Sequence, residues 1–191
     1  MLTSARIDEA RPAARLQETQ HNAFMTGAHD KLGILGEAQD GSFVLRFDRT
    51  YPCSQARVWH TIIDRNELSR WFDPWIDYEA SSLNFTEGAR LSFVAHDSHI
   101  LHTQSGEVTR ADPPHLLEFA RASQLLRWQL TADGGACQLT LTITDGWRTG
   151  LTANAPRVHA MLDALRARLF GTRPPTPDLD KLRRAYEHTF R

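Results

Sequence analysis

Three histidines at regular spacing are the first residues in this sequence that could do chemistry. His96, His99 and His102 form an H-x-x-H-x-x-H run, a pattern that invites comparison with a metal site. On a strand or hairpin, however, a spacing of three turns successive side chains to opposite faces. Zinc requires ligands that converge on one point at about 2.0–2.1 Å. The run therefore predicts a polar turn between two strands and no metal site.

The two cysteines are the next candidates for chemistry. Cys53 and Cys137 stand far apart in the sequence and lack an adjacent histidine and asparagine, and no G-x-S-x-G motif is present. Neither a P-loop nor a dinucleotide-binding glycine pattern occurs, so the sequence predicts no cofactor. We expect two reduced thiols in a cytoplasmic protein.

The composition favours one globular domain with short attachments. The chain has 191 residues, 41% of them hydrophobic, and its 22 basic and 23 acidic side chains give a formal charge of −1. This near-neutral balance, without a basic stripe, argues against nucleic-acid binding. No stretch approaches the roughly 18 uninterrupted apolar residues of a membrane-spanning helix. Early charged residues such as Arg6, Asp8 and Glu9 also interrupt the apolar core that a secretory signal needs.

The elements that must position a site begin with a strand and two short helices. Period-two alternation from Phe43 to Phe47 predicts the strand, which should end at Pro52 because proline removes a ladder donor. Ser54 is a suitable N-cap for the first helix, and the second should stop before Pro74. Apolar alternation between turn signals then predicts six strands, at residues 76–85, 89–95, 100–109, 115–122, 124–132 and 136–144.

The last predicted hairpin is the most sharply defined of these elements. Residues 124–132 and 136–144 flank the turn signal Asp133-Gly134-Gly135. Alternation places apolar side chains on one face of both strands. We expect these side chains to meet across the turn, with Leu126, Trp128 and Leu130 opposite Leu139, Leu141 and Ile143.

A long amphipathic helix follows the strands. Its apolar residues from Val158 to Leu169 form one stripe, and the helix is predicted over residues 155–170, with Pro156 in its first turn and Gly171 as its stop. A long meander with one apolar face must curve around this helix, so the sequence predicts an α+β fold. Residues 33–171 would form the domain, residues 1–32 an N-terminal extension that is helical or mobile, and residues 172–191 a proline-rich spacer with a short C-terminal helix.

Motifs within residues 33–171 occur in a specific order. They are Arg46-Phe47-Asp48-Arg49 through Pro52, Val58-Trp59, Leu68 and Trp71-Phe72; then Gly106-Glu107-Val108, Asp112-Pro113-Pro114 and Leu117-Glu118-Phe119; then Leu126-Arg127-Trp128 and Leu139-Thr140-Leu141-Thr142; and finally His159 through Leu165. Together they resemble Aha1-type domains, the activator-of-Hsp90-ATPase homologues of the START-like, or SRPBCC, superfamily. The resemblance implies a helix-grip fold, in which a curved antiparallel sheet wraps around a long C-terminal helix and two short helices follow the first strand. It does not imply Hsp90 activation, because residues 1–32 are too few to supply the additional N-terminal domain of the eukaryotic co-chaperone.

The resemblance also implies a ligand cavity between the sheet and the long helix. By alternation, His102 and Gln104 share a strand face with Val108, and Arg121 shares one with Phe119. Polar groups on an otherwise apolar wall would fix the orientation of a ligand. The residues expected to line the cavity are Trp71, Phe72, Phe93, His102, Gln104, Val108, Phe119, Arg121, Trp128, His159 and Leu162.

Three functions are compatible with such a domain. We favour the first, binding of a small hydrophobic or amphipathic molecule without catalysis, in a stress-related role. The second is a cyclase- or hydrolase-like enzyme that uses His102 or His159 as its general base. The third is an interaction module for a chaperone or another protein, which would use the outer face of the sheet or the C-terminal segment. We expect a monomer or a homodimer, and no nucleic-acid partner.

Overall fold

The structure is a computed structural model and describes residues 31–97 and 103–191. Leu32–Arg191 forms one compact unit. Most of the predicted N-terminal extension lies outside the described residues, and so do His99 and His102 of the histidine run.

Seven strands in the described part of the chain form one antiparallel sheet in the spatial order β1-β2-β7-β6-β5-β4-β3. The edges of the sheet are therefore β1 and β3. The strands are β1 (Ile34–Glu37), β2 (Phe43–Tyr51), β3 (Arg90–Phe93), β4 (Gln104–Asp112), β5 (Leu116–Arg121), β6 (Gln124–Asp133) and β7 (Ala136–Asp145).

Four helices accompany the sheet among the described residues: α1 (Gln55–Ile63), α2 (Arg65–Leu68), α3 (Arg148–Phe170) and α4 (Leu179–Thr189). The Ser54 side chain caps α1 as predicted, since its Oγ accepts a hydrogen bond of 3.3 Å from the backbone N–H of Arg57. Gly171 ends α3 in the left-handed conformation, with φ of 65°. None of the helices in the described ranges is both long and apolar enough to cross a membrane.

The arrangement confirms the predicted α+β helix-grip fold. The long helix α3 packs across β2 and β7, α1 packs on β6 and β7, and α4 packs against α3. The apolar faces of these elements share one core. One detail differs from the prediction. The short edge strand β1 precedes β2, so the two short helices follow the second strand and not the first.

The long helix begins earlier than its sequence predicts. It starts at Arg148 rather than at residue 155, so Pro156 lies inside the helix and not in its first turn. A proline in a helix interior removes one backbone hydrogen bond. Burial outweighs this cost here, because Leu151, in the unpredicted first turns, is 1% exposed, and Ala155, directly before the proline, is 0% exposed.

The predicted strand at residues 76–85 does not form. This segment makes two isolated bridges, from Ile76 to Ala95 and from Ser82 to Ser92. Asp77 explains the interruption, since its Oδ1 accepts hydrogen bonds from the backbone N–H groups of Glu79 and Ala80 and so bends the chain. Five strands rather than six therefore follow residue 75.

The predicted hairpin is confirmed in register. Leu126 pairs with Ile143, Trp128 with Leu141, and Leu130 with Leu139. All six side chains are buried, so this pair of strands forms the centre of the core.

A close backbone approach lies near the other edge of the sheet. An ideal Cβ built on Gly106 would lie 1.9 Å from the carbonyl oxygen of Ala120, so only glycine fits at this point of β4.

Candidate functional site

An aromatic wall covers the inner face of the sheet on the side of β3, β5 and β6. Its ring centroids lie 5.5 Å apart for Trp71 and Phe72, 5.9 Å for Trp71 and Trp128, and 6.1 Å for Phe93 and Phe119. All five side chains are buried. Trp71 also donates its indole N–H to the carbonyl oxygen of Thr61, at 3.0 Å. The wall is therefore a fixed apolar surface whose polar indole atom already has a partner.

Arg121 forms the polar end of this wall. Alternation along β5 places it on the same face as Phe119. Its guanidinium carbon lies 4.8 Å from the ring centroid of Phe93 and 5.8 Å from that of Phe72. Its Nε donates to Gln104 Oε1 at 2.7 Å, and its Nη2 donates to Asp73 Oδ2 at 2.8 Å. Four described groups thus hold the guanidinium in one orientation.

Asp73 connects this arginine to the segment after α2. Its Oδ2 accepts from Arg121, while its Oδ1 accepts from the backbone N–H of Trp75 at 3.1 Å. The Tyr78 hydroxyl donates to the backbone carbonyl of Asp73 at 3.0 Å. Burial, followed by the nearby Asp73 carboxylate, raises the pKa of Tyr78, so its hydroxyl remains a hydrogen-bond donor even at the pH near 10 where an ordinary tyrosine ionises. Trp75 is 46% exposed, which places this rim at the protein surface.

The predicted cavity residues fall into two groups. Gln104 and Arg121 lie together at the rim, next to the aromatic wall, and Val108 faces inward and is fully buried. His159 and Leu162 belong instead to α3, and both are buried. His102 lies outside the described residues. The assignment of all of these residues as ligand contacts remains a prediction.

His159 lies in a second polar cluster, beneath the C-terminal helix. Its Nδ1 is 2.9 Å from the Tyr186 hydroxyl, which also accepts a hydrogen bond of 2.9 Å from the Gly33 N–H. Its Nε2 is 3.7 Å from Asp163 Oδ2, one helical turn away. Because the Tyr186 oxygen accepts from Gly33, its own proton can be donated to Nδ1. The imidazole is 4% exposed and holds α4 to the domain.

Asp73 and Arg49 were not among the residues predicted for the site from the sequence. Asp73 precedes a proline in a loop, and no pattern distinguishes it from other loop acids. Arg49 lies on the inner face of β2 and is 3% exposed. The alternation of Leu45 and Phe47, extended by two residues, would have placed it there.

The histidine run and the thiols show no arrangement for catalysis in the described part of the chain. No group of three or more metal-ligating side chains occurs there, and His96 lies at the surface, 3.9 Å from an Asp77 oxygen. Both cysteines are free thiols. Burial raises the pKa of Cys137 to about 11 and also raises that of Cys53. The thiols therefore stay protonated, and poor as nucleophiles, at neutral pH.

Comparisons with known proteins identify the family. The model of the family described as activator of Hsp90 ATPase homolog 1-like protein matches residues 52–169, which confirms the resemblance seen in the sequence. No curated protein matches the chain.

Solved structures share the fold. CalU16 from Micromonospora echinospora is 20% identical, with a TM-score of 0.63 over 81% of this chain and 91% of that one. A conserved protein of unknown function from Enterococcus faecalis, EF2215, is 12% identical, with a TM-score of 0.71 over 88% and 95%. DynU16, from the dynemicin biosynthetic locus, is 20% identical, with a TM-score of 0.54 over 69% and 48%. At these identities the likeness concerns the fold alone.

Proposed function

Because this chain belongs to the activator of Hsp90 ATPase homolog 1-like family, we propose that it binds a small amphipathic molecule between the sheet and the helices, without catalysing a reaction. The observation that carries this proposal is the position of Arg121. Its guanidinium is fixed at the rim of an aromatic wall, where it contacts Phe93 and bonds to Gln104 and Asp73.

The two parts of this site suit the two parts of an amphipathic ligand. The aromatic side chains are each at most 8% exposed, so an apolar ring or chain would insert between them and replace part of their contact with one another. Within the described residues, Nε of Arg121 donates to Gln104 and Nη2 donates to Asp73. We therefore expect Nη1 to donate to an acceptor atom of the ligand. Asp73 balances the arginine charge, which favours a neutral or singly charged head group over a multiply charged one.

Binding is preferred to catalysis through His159 because of the way this residue is paired, while His102, the other candidate base, lies outside the described residues. The His159 imidazole is 4% exposed and is paired with Tyr186 and Asp163, in a cluster separate from the aromatic wall. A general base must lie within about 2.6–3.2 Å of the group whose proton it takes. The Tyr186 hydroxyl already lies at this distance from Nδ1, so it stands where the substrate group would have to be. The stress-related role, the cytoplasmic location and the alternative of a protein-interaction module remain predictions.

A fluorescence titration with anilinonaphthalene sulfonate, an amphipathic anion, tests the proposal. We expect saturable binding to the wild-type chain. Arg121→Met should weaken it by about tenfold or more, because a hydrogen bond to a charged group contributes roughly 1.5–3 kcal/mol. Arg127→Met is the matched control, since Arg127 is also a strand arginine paired with a carboxylate, Glu118, but on the outer face of the sheet.

The control should bind the probe with wild-type affinity. Circular dichroism of each variant will show whether the fold is retained. Equal affinities for the Arg121 and Arg127 variants, or the lack of any saturable binding by the wild-type chain, would contradict the proposed site.

A further inference from the structure

Arg49 is a buried arginine whose hydrogen-bonding capacity is only partly used. It lies on the inner face of β2, between Phe47 and Tyr51, and is 3% exposed. Its Nη1 donates to the backbone carbonyl of Asp48 at 3.0 Å. Its Nε and Nη2 are both buried and have no hydrogen-bond partner in residues 31–97 or 103–191. Burial of a charge without a partner costs free energy, so an anion bound at this edge of the guanidinium would stabilise the protein.

Two other arginines of the chain show what this edge binds. Arg46 donates from Nε and Nη2 to the Asp48 carboxylate, at 3.0 Å and 2.8 Å. Arg168 uses the same two nitrogens toward Glu67, at 2.5 Å and 2.6 Å. Nε and Nη2 form a planar fork that matches the two oxygens of a carboxylate. The unpartnered edge of Arg49 therefore has the geometry of a carboxylate site.

The surroundings of this edge favour a single negative charge. The guanidinium carbon of Arg49 lies 5.6 Å from the ring centroid of Phe47. Its charge also acts on Tyr51 and Tyr186, and the Asp163 carboxylate acts on both tyrosines as well. The Arg166 guanidinium acts on Tyr51, so the side-chain charges of Arg49, Asp163 and Arg166 sum to +1. Asp163 Oδ2 lies toward His159 Nε2, at 3.7 Å. A nearby carboxylate repels an incoming dianion more strongly than a monoanion.

A surface cleft reaches the neighbours of Arg49. It has a volume of about 270 Å³ and is lined in part by Gly33, Arg148 and Phe190. Gly33 bonds to the Tyr186 hydroxyl, and the Phe190 ring centroid is 5.1 Å from that of Tyr186. The cleft therefore adjoins residues that contact Tyr186, a side chain on which the Arg49 charge acts. Arg148 adds a positive charge at the entrance.

We propose that Arg49 anchors a second binding site, distinct from the one at Arg121, for the carboxylate of a small monocarboxylic acid between β2 and α3. The two carboxylate oxygens accept hydrogen bonds from Nε and Nη2, as Asp48 does from Arg46 and Glu67 from Arg168. The site goes beyond the function proposed above, since it needs neither the aromatic wall nor Arg121.

Nuclear magnetic resonance of the arginine Nε–H groups in the full chain tests this site, with sodium acetate as the probe and sodium chloride at equal ionic strength as the control. We expect acetate to shift the Arg49 signal to saturation, with chloride having little effect. The signal of Arg46, whose fork is already occupied, should stay in place. Arg49→Lys should weaken acetate binding by about tenfold or more, because it loses the fork but keeps the charge, whereas Arg46→Lys should leave it unchanged.

The proposal would be overturned by an Arg49 signal that does not respond to acetate, by an equal response to chloride, or by equal acetate affinity in Arg49→Lys and the wild type. An Arg49 signal that responds to Asp163→Asn but not to acetate would identify Asp163 as its partner, which also overturns it. If Arg49→Lys does not fold, the wild-type titrations decide the question alone.

Discussion

Removal of one hydroxyl group should measure how firmly the C-terminal helix is attached. The Tyr186 hydroxyl joins three elements, because it accepts from the Gly33 N–H before β1 and contacts His159 Nδ1 on α3, both at 2.9 Å. Tyr186→Phe keeps the ring, which packs against Phe47 and Phe190, and removes the hydroxyl that the Gly33 N–H and His159 Nδ1 contact.

The size of the effect follows from these two groups. A buried donor or acceptor left unpaired costs about 1–3 kcal/mol, so Tyr186→Phe should lower the free energy of unfolding by about 2–4 kcal/mol. For a chain of this length, the Tm should fall by roughly 5–15 °C. Urea denaturation followed by circular dichroism measures the loss, with an unchanged m-value expected if the folded state is the same.

Tyr51→Phe is the matched control for this prediction. Tyr51 is equally buried, but its hydroxyl makes one long contact of 3.4 Å, with the carbonyl oxygen of Leu162. Its removal should cost less than about 1 kcal/mol. Similar losses for the two variants would refute the inference that the Tyr186 hydroxyl holds α4 and the Gly33 segment to the domain.

Two further predictions concern pH and backbone packing. Burial raises the pKa of all three tyrosines, Tyr51, Tyr78 and Tyr186, the last to about 12. A tyrosine in the unfolded chain titrates near pH 10, so above that pH the folded state binds more protons than the unfolded state. The free energy of unfolding should therefore fall by about 1.4 kcal/mol per pH unit for each tyrosine, until the pH reaches its pKa in the folded state. Tyrosinate absorbance that rises near pH 10 without unfolding would contradict this. Gly106→Ala should cost more than about 2 kcal/mol in urea denaturation, since its Cβ would meet a strand carbonyl oxygen at 1.9 Å. In contrast, Gly36→Ala, with nothing within 4 Å, should change stability by less than about 0.5 kcal/mol; equal losses would show that the backbone at residue 106 has room to adjust.

Local sequence patterns predicted the fold where burial and propensity agree. The β6–β7 hairpin is the clearest case, since alternation defined its inner face and the two glycines defined its turn. The patterns failed where tertiary contacts oppose a local rule. Pro156 suggested a helix start, but burial of Leu151 and Ala155 extends the helix beyond it. The alternating residues near 76–85 suggested a strand, but the Asp77 side chain stabilises turns in the segment instead.

The candidate site was predictable to a similar degree. Alternation placed Gln104 and Arg121 on inner faces, and the structure joins them by a hydrogen bond of 2.7 Å. Asp73, the carboxylate partner of Arg121, comes from a loop 48 residues before it, and no periodic pattern relates such a loop to a strand. His159 was expected to flank the apolar stripe of its helix, but its pairing with Tyr186 depends on how the C-terminal helix returns to the domain.

The two inward-facing arginines explain why one core can hold two separate sites. Arg121 has both edge nitrogens bonded to side chains and its face on aromatic rings, so its position does not depend on a ligand. Such a group orients a molecule whose apolar body supplies most of the binding energy. Arg49 has the same edge buried without a hydrogen-bond partner among the described residues. An anion that binds there would therefore relieve an unfavourable buried charge, so the charged head group supplies the binding energy. Loss of the Arg121 site should therefore leave acetate binding at Arg49 intact, and loss of the Arg49 fork should leave binding at the aromatic wall intact.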